Sequence, residues 1–140
     1  MIVLDTDHLS TFQWARSSAA VALRDRLRAV DEPVATTIIT LEEQARGWLA
    51  EISRKRKARD QIPPYRKLQE LFAFFGGWTI LAWSEAAVEQ FQELKSQRIR
   101  IGTMDLKIAS IVLTHDATLL TRNRADFEQV PDLRIENWLD

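Results

Sequence analysis

The sequence has 140 residues, 46% of them hydrophobic and 28% charged, and a formal net charge of −1 at pH 7. This length suits one domain spanning residues 1–140 around a single core, and the near-zero charge excludes a general electrostatic attraction to nucleic acid, so that any such binding must come from local patches. The chain has no cysteine and only two histidines, which excludes disulfides and thiolate chemistry and leaves oxygen atoms as the ligands for any divalent metal ion.

Short apolar or β-branched segments alternate with helical patterns along the first half of the chain. Residues 2–4 predict a buried strand, and a helix at about 18–30 follows a loop that contains Trp14. Residues 34–39, rich in β-branched side chains, predict a second strand. Thr40 is expected to cap the next helix, which could continue into a basic segment.

The second half of the chain repeats this alternation. A helix that begins at Pro63 ends at a pair of glycines, a strand follows at 78–83, and Ser84 is expected to cap the helix after it. The remaining pattern predicts a helix at about 104–115 and strands at 118–121 and 133–135.

The alternation of strands and helices predicts an α/β domain with a mainly parallel central sheet of four or five strands and right-handed crossovers. In such sheets ligands bind beyond the carboxyl ends of the strands. Acidic residues at those ends are therefore candidates for the functional site.

No segment has the pattern of a targeting or membrane-spanning sequence. The apolar stretch that begins at Ile2 ends at Asp5 and has no basic segment before it, which makes it too short for the apolar region of a signal peptide. No stretch approaches the ~20 apolar residues of a membrane span. We therefore expect a soluble, cytoplasmic protein with no membrane partner.

Acidic residues follow the first two predicted strands. Asp5 comes directly after the first strand, where a partly buried carboxylate either needs a cation or several donors or caps the following turn. Glu42 and Glu43 follow the second strand, and Thr40 with Glu43 also fits a capping box. Position in the sequence does not decide between the two roles of Asp5. Helical periodicity does not decide which of the two glutamates belongs to the site.

Two further acids belong to the second half of the chain. Asp105 lies in the first turn of its predicted helix, in line with Ala109 and Val112 on the buried face, although the helix dipole alone also favours an acid there. Asp126 lies in a loop after the fourth predicted strand. Because the carboxyl ends of parallel strands meet at one edge, we expect these acids to converge. Clustered carboxylates repel one another unless divalent cations occupy the site, and metal-activated water suits phosphodiester hydrolysis.

Four segments in order resemble the motifs of the PIN-domain nucleases, and more closely those of the VapC-type toxins of type II toxin–antitoxin pairs. The segments are IVLDTDHLS at 2–10, ITLEEQARG at 39–47, IGTMDLKIA at 101–109, and LTRNRADF at 120–127, followed by VPDL at 130–133 and ENW at 136–138. In the second segment a glutamate stands four residues before a glycine, and this match selects Glu43 over Glu42.

The resemblance implies a three-layer α/β/α PIN-like domain and an endoribonuclease that uses Mg²⁺ or Mn²⁺ to activate water. It also implies an RNA substrate, with transfer RNA as the first choice, a homodimer, and a cognate antitoxin that holds the enzyme inactive. Thr121 would support the acids by hydrogen bonding, Asn123 could share the role of the fourth acid, and Asp7 would stand just outside them. The residues implied as metal ligands and catalytic acids are Asp5, Glu43, Asp105 and Asp126.

Basic side chains near these motifs are candidates for contact with RNA. Arg98 and Arg100 precede the third segment, and Arg122 stands beside the fourth acid, so that each could bind substrate phosphate. The basic run at 54–59 fits RNA contact and a solvated helix end equally well. His8 lacks the paired spacing of metal ligands, and we interpret it as structural.

Aromatic residues are concentrated in one predicted helix. Phe72, Phe74 and Phe75 exceed one inward face. The surplus indicates contact with a second copy of the chain or with an antitoxin.

Two alternative functions are open at this point. Residues 4–7 also resemble the nucleophile and acid pair of haloacid-dehalogenase-like phosphatases, in which Asp5 would be a covalent nucleophile, but the lysine and the small-residue motif of that family are not found. The other alternative is a PIN-like module that binds RNA or protein without catalysis. The presence of all four acids favours the enzyme.

Overall fold

A computed structural model describes residues 1–140 and has a central sheet of five parallel strands. The strand order is β3-β2-β1-β4-β5, so the first strand lies at the centre and the chain builds outwards on both sides of it. This confirms the predicted α/β class. The strands are β1 (Ile2–Leu4), β2 (Val34–Thr37), β3 (Thr79–Leu81), β4 (Thr118–Leu120) and β5 (Arg134–Glu136).

Helices connect the strands and cover both faces of the sheet. A short 3-10 helix at Ala58–Gln61 precedes the fourth α-helix. None of the helices combines the length and the apolar composition that crossing a membrane requires. The α-helices are α1 (Thr6–Trp14), α2 (Ser18–Ala29), α3 (Ile38–Arg54), α4 (Ile62–Phe75), α5 (Glu85–Ser96), α6 (Thr103–Thr114) and α7 (Arg124–Phe127).

Each face of the sheet has its own apolar layer. Val3 and Leu119 belong to a cluster with residues of α5 and α6, whereas Ile2, Leu4 and Leu120 belong to a second cluster with residues of α1, α2 and α4. Successive strand residues thus alternate between two buried layers, as expected for parallel strands covered on both sides. The arrangement is the three-layer α/β/α domain that the resemblance implied.

The start of α3 differs from the prediction. Thr37, not Thr40, is its N-cap: Oγ1 of Thr37 accepts a hydrogen bond from the Thr40 N–H at 3.1 Å. Thr40 is fully buried in the first turn, so the predicted capping box between Thr40 and Glu43 is wrong. The reason is that pairing of β2 with β3 stops at the Thr37–Leu81 pair, and the β-branched residues that follow enter the helix.

Other differences concern segments predicted as loops or as helix. α1 occupies the expected loop around Trp14 and begins after Asp5, and α7 holds Asp126 in a single helical turn. α1 is rich in Ser and Thr, which favour caps and turns over helix interiors, so its sequence carries little helical signal. α3 ends at Arg54, so the basic run at 54–59 is not part of a continuous helix.

Replacement of the α3 cap tests this helix boundary. Thr37→Ala should lower the free energy of unfolding by about 1 kcal/mol, because the Thr40 N–H loses its acceptor. Chemical denaturation measures this change. Ser17→Ala is the matched control, since Ser17 caps α2 in the same way; a Thr37→Ala variant as stable as the wild type would contradict the boundary.

Candidate active site at the carboxyl edge of the sheet

Asp5 joins the central strand to α1. Its Oδ1 accepts a hydrogen bond from the His8 backbone N–H at 3.4 Å, and its own N–H donates to the Leu120 carbonyl of β4 at 3.1 Å. The residue is buried, with 7% of its surface exposed, and no donor of the chain bonds to Oδ2. The two alternatives for Asp5 are therefore compatible, because one oxygen caps the helix while the other is left for the site.

α3 separates the roles of its two adjacent glutamates. Glu42 forms an ion pair with Arg46, one turn further along the helix. Glu43 is half-buried, and its Oε1 has no hydrogen-bond partner. Burial, and after it the negative charges of Asp105 and Asp5, raise the pKa of Glu43. Glu43 thus belongs to the acidic cluster, and Glu42 belongs to the helix surface.

Asp105 and Asp126 are connected by an asparagine. The Asn123 amide donates to Oδ2 of Asp126 at 2.9 Å and to Oδ2 of Asp105 at 3.4 Å. Burial raises the pKa of Asp105, the charges of Asp126 and Asp5 raise it further, and the hydrogen bond from Asn123 opposes them. The four predicted acids are therefore brought together, with Asn123 as the neutral donor between two of them.

Thr121 supports the acids indirectly, through a hydrogen bond to Asn123. It is fully buried, and its Oγ1 accepts a hydrogen bond from the Asn123 N–H at 3.0 Å. The resemblance implied that Thr121 forms hydrogen bonds to the acids themselves. The structure instead places it beneath Asn123, which contacts the acids.

The remaining predicted residues lie around the cluster. Asp7 is exposed, and its charge makes a smaller contribution to the raised pKa values of Glu43 and Asp105. Arg98 and Arg100 are exposed in the turn between α5 and α6 and have no ion-pair partner. The third predicted arginine, at position 122, is paired with the carboxylate of residue 140 at 3.4 Å.

The oxygen donors fit a hard divalent cation, although they do not enclose one. No group of three or more acidic or histidine side chains is arranged as a ready-made metal site, and none of the acids lines a cavity. The buried, unpaired Oε1 of Glu43 and the mutual repulsion of the carboxylates suit the binding of a positive charge. Mg²⁺ suits such an open set, because it binds one or two carboxylates and keeps several waters.

One residue next to the cluster was interpreted only as structural. The His8 side chain is completely buried, and its Nδ1 lies 3.6 Å from Oδ1 of Asp5. His8 lies three residues after Asp5, the N-cap of α1, and this helical spacing places the two side chains next to each other. The sequence shows this spacing only when the start of α1 is known.

Comparisons with known proteins bear on the family and the fold. A family model described as PIN domain matches residues 2–133. Ribonuclease VapC2 of Rickettsia felis is 44% identical over 46 residues, which cover 33% of this chain and 34% of that protein, so the match spans about a third of its length.

Two solved structures share the fold over nearly the whole chain. VapBC2 from Rickettsia felis, bound to a DNA fragment from its promoter, has a TM-score of 0.71 at 26% identity and covers 99% of both chains. DNA-bound VapBC from Salmonella typhimurium has a TM-score of 0.77 at 21% identity and covers 98% of this chain and 97% of that one, a likeness that shows the fold alone.

Removal of one charge from the cluster should stabilise the metal-free protein. Because the pKa of Asp105 is raised in the folded state, the folded protein binds a proton there more tightly than the unfolded chain. Stability therefore falls as the pH rises from the ordinary aspartate pKa through the raised one. Asp105→Asn should raise the melting temperature at neutral pH by roughly 4 °C for each kcal/mol of relieved repulsion, as measured by calorimetry in a chelator.

The advantage of Asp105→Asn over the wild type should shrink as the pH is lowered, because the wild-type carboxyl then gains its proton. Asp31→Asn is the control, since Asp31 is an exposed acid without an ion-pair partner. A metal-free Asp105→Asn protein that is less stable than the wild type at neutral pH would show that no net repulsion acts on Asp105.

Proposed function

This chain belongs to the PIN-domain family, and we propose that it is a divalent-metal-dependent endoribonuclease that acts as the toxin of a toxin–antitoxin pair. The observation that carries the proposal is the cluster of four carboxylates from separate elements; burial, and after it the charges of the other acids, raise the pKa values of Glu43 and Asp105. Repulsion among the carboxylates is relieved when a cation binds between them. A metal ion held by clustered acids is suited to the hydrolysis of phosphodiester bonds.

Asp5, Glu43, Asp105 and Asp126 would hold Mg²⁺ or Mn²⁺, which supplies activated water and stabilises charge on the phosphate oxygens. The chain keeps these donors in place in different ways. The N-cap hydrogen bond fixes one oxygen of Asp5, and Asn123 orients Asp105 and Asp126 together. Glu43 contributes an oxygen that no protein donor occupies.

Substrate and partners follow from the likeness to VapC proteins. We propose transfer RNA as the first substrate to test, and a cognate antitoxin as the partner that keeps the enzyme inactive. A homodimer is supported by apolar side chains that α3 and α4 leave uncovered: Leu49 is 50% exposed, Tyr65 53% and Phe72 54%. Phe74 is not part of that surplus, because it packs with Phe12 and Trp78.

Neutralisation of single acids should abolish cleavage. Asp5→Asn, Asp105→Asn and Glu43→Gln should each lose more activity than the ~10–100-fold that loss of an outer hydrogen-bond partner costs at metal sites. The assay measures cleavage of purified transfer RNA by antitoxin-free protein with Mg²⁺ or Mn²⁺. Glu42→Gln is the matched control, because this neighbouring glutamate pairs with Arg46 outside the cluster and its loss should leave the rate unchanged.

Two results would overturn the proposed function. Antitoxin-free wild-type protein that cleaves no RNA with either metal would leave only a binding module. Hydrolysis of phosphate monoesters through a phosphoryl group trapped on Asp5 would identify the phosphatase alternative.

Arg98 and Arg100 should contribute to RNA affinity rather than to chemistry. Each is exposed and unpaired in the turn that leads into α6. In an inactive Asp105→Asn background, Arg98→Gln or Arg100→Gln should weaken RNA binding and reduce the slope of log affinity against log salt by about 0.7–0.9 per arginine. Arg16→Gln, an exposed and unpaired arginine elsewhere, is the control; unchanged slopes in the first two variants would exclude these contacts.

A further inference from the structure

We infer that His8 is a positioning residue for the acidic site: after a small rotation of the Asp5 carboxylate, the Nδ1–H of His8 donates to Oδ1 and fixes the orientation of that carboxylate for metal binding. This inference rests on the proposed function, since it assigns a role toward the metal that Asp5 would hold. It goes beyond the acids by adding a neutral residue from inside the core. The observations that carry it are the hydrogen bonds and the burial of the imidazole.

The hydrogen-bond network determines which nitrogen of His8 carries the proton. Nε2 lies 3.1 Å from the backbone nitrogen of Trp138, whose N–H donates to it. A nitrogen that accepts a hydrogen bond carries no hydrogen of its own, and an imidazole keeps at least one N–H. The proton of His8 is therefore on Nδ1, and the ring is neutral.

The Nδ1–H group has no hydrogen-bond partner in the metal-free structure. The His8 side chain is 0% exposed, and its Nδ1 is a buried polar atom without an acceptor within bonding distance. A buried donor left in this state is unfavourable, because it has lost its hydrogen bonds to water without gaining an acceptor. Oδ1 of Asp5, at 3.6 Å, is just beyond hydrogen-bond range, so a small rotation of the carboxylate would complete the bond.

The C-terminal segment holds the donor to Nε2 in place. The Arg26 guanidinium of α2 lies 3.9 Å from the centre of the Trp138 ring, and the indole N–H of Trp138 donates to Glu136 of β5 at 3.2 Å. The Trp138 backbone is thus anchored by a helix and a strand. Because the donor to Nε2 is held in place by the protein and not by water, the proton of His8 stays on Nδ1, on the side of the ring that faces Asp5.

After that rotation Oδ1 of Asp5 would receive two donors from one residue: the backbone N–H of His8, which bonds to it at 3.4 Å, and the Nδ1–H, which lies 3.6 Å away. Two bonds to Oδ1 define the plane of the carboxylate and leave Oδ2 free. Ligands of metal ions are commonly oriented by such outer hydrogen bonds, whose loss costs about 10–100-fold in metal affinity or activity. A purely structural histidine would fill space and bond to Trp138 without affecting Asp5.

Two isosteric variants separate these possibilities. In His8→Asn the side-chain amide nitrogen occupies the place of Nδ1 and keeps a donor towards Asp5, whereas in His8→Gln the amide reaches towards Trp138 and the donor towards Asp5 is lost. Both variants fill similar space, so their melting temperatures serve as the measure of structural damage. Isothermal titration with Mn²⁺ measures metal affinity directly, and cleavage of transfer RNA gives kcat and KM.

We expect His8→Gln to bind Mn²⁺ about 10–100-fold more weakly than the wild type, with a lower kcat, and His8→Asn to regain most of both. If both variants instead lose Mn²⁺ affinity and activity equally, in proportion to their loss of melting temperature, the inference is overturned and the proposed function is left intact. Wild-type protein that binds no Mn²⁺ would contradict the proposed function itself.

Nuclear magnetic resonance of the imidazole nitrogens gives a second, independent readout. The chain has only two histidines, and the other, His115, is exposed at the end of α6. A His115→Gln protein, which should keep wild-type activity, therefore shows the ring of His8 alone. We expect the Nδ1–H form, with a chemical-shift change of this proton on addition of Mg²⁺; an Nε2–H form would overturn the inference.

Discussion

Repulsion among carboxylates at the carboxyl edge of the sheet is the constraint on which this molecule depends. A parallel sheet brings the carboxyl ends of its strands to one edge. Here β1 leads into Asp5, β2 into α3 with Glu43 and β4 into α7 with Asp126, while Asp105 comes from α6, which follows α5. Burial raises the cost of a negative charge on Glu43 and Asp105, and the neighbouring acids add to it. The two apolar layers must offset this cost.

The backbone, rather than contact among the acids, sets their positions. Asp5 is fixed as the cap of α1, while Glu43 and Asp105 are fixed by the starts of α3 and α6. Asp126, on the single turn of α7, depends most on a side-chain partner, because Asn123 holds it at 2.9 Å and contacts Asp105 less closely, at 3.4 Å. The position of the Asp126 carboxylate therefore depends more directly on the Asn123 amide than the positions of the other acids do.

Much of the site could be predicted because the sequence pattern shows where the buried strands end. Asp5 and Asp105 were found from a buried strand and from a buried helical stripe. The cap of α3 was misplaced because Thr37 and Thr40 have the same propensities, and the choice between them depends on how far β3 extends. The link from Asn123 to the acids likewise depends on tertiary contacts that no local pattern encodes.

The proposed function imposes an order on binding. The acidic cluster of the metal-free protein repels RNA phosphates, and the net charge of −1 offers no compensating attraction. The unpaired arginines, Arg98 and Arg100, belong to the turn before α6 and not to the cluster itself. They can attract the RNA backbone only up to the edge of the acids, so under the proposed function the scissile phosphate approaches Asp5 and Asp105 once a bound cation has reduced the local negative charge. In this arrangement metal binding is a condition for productive RNA binding as well as for chemistry, which makes the orientation of Asp5 important before substrate arrives.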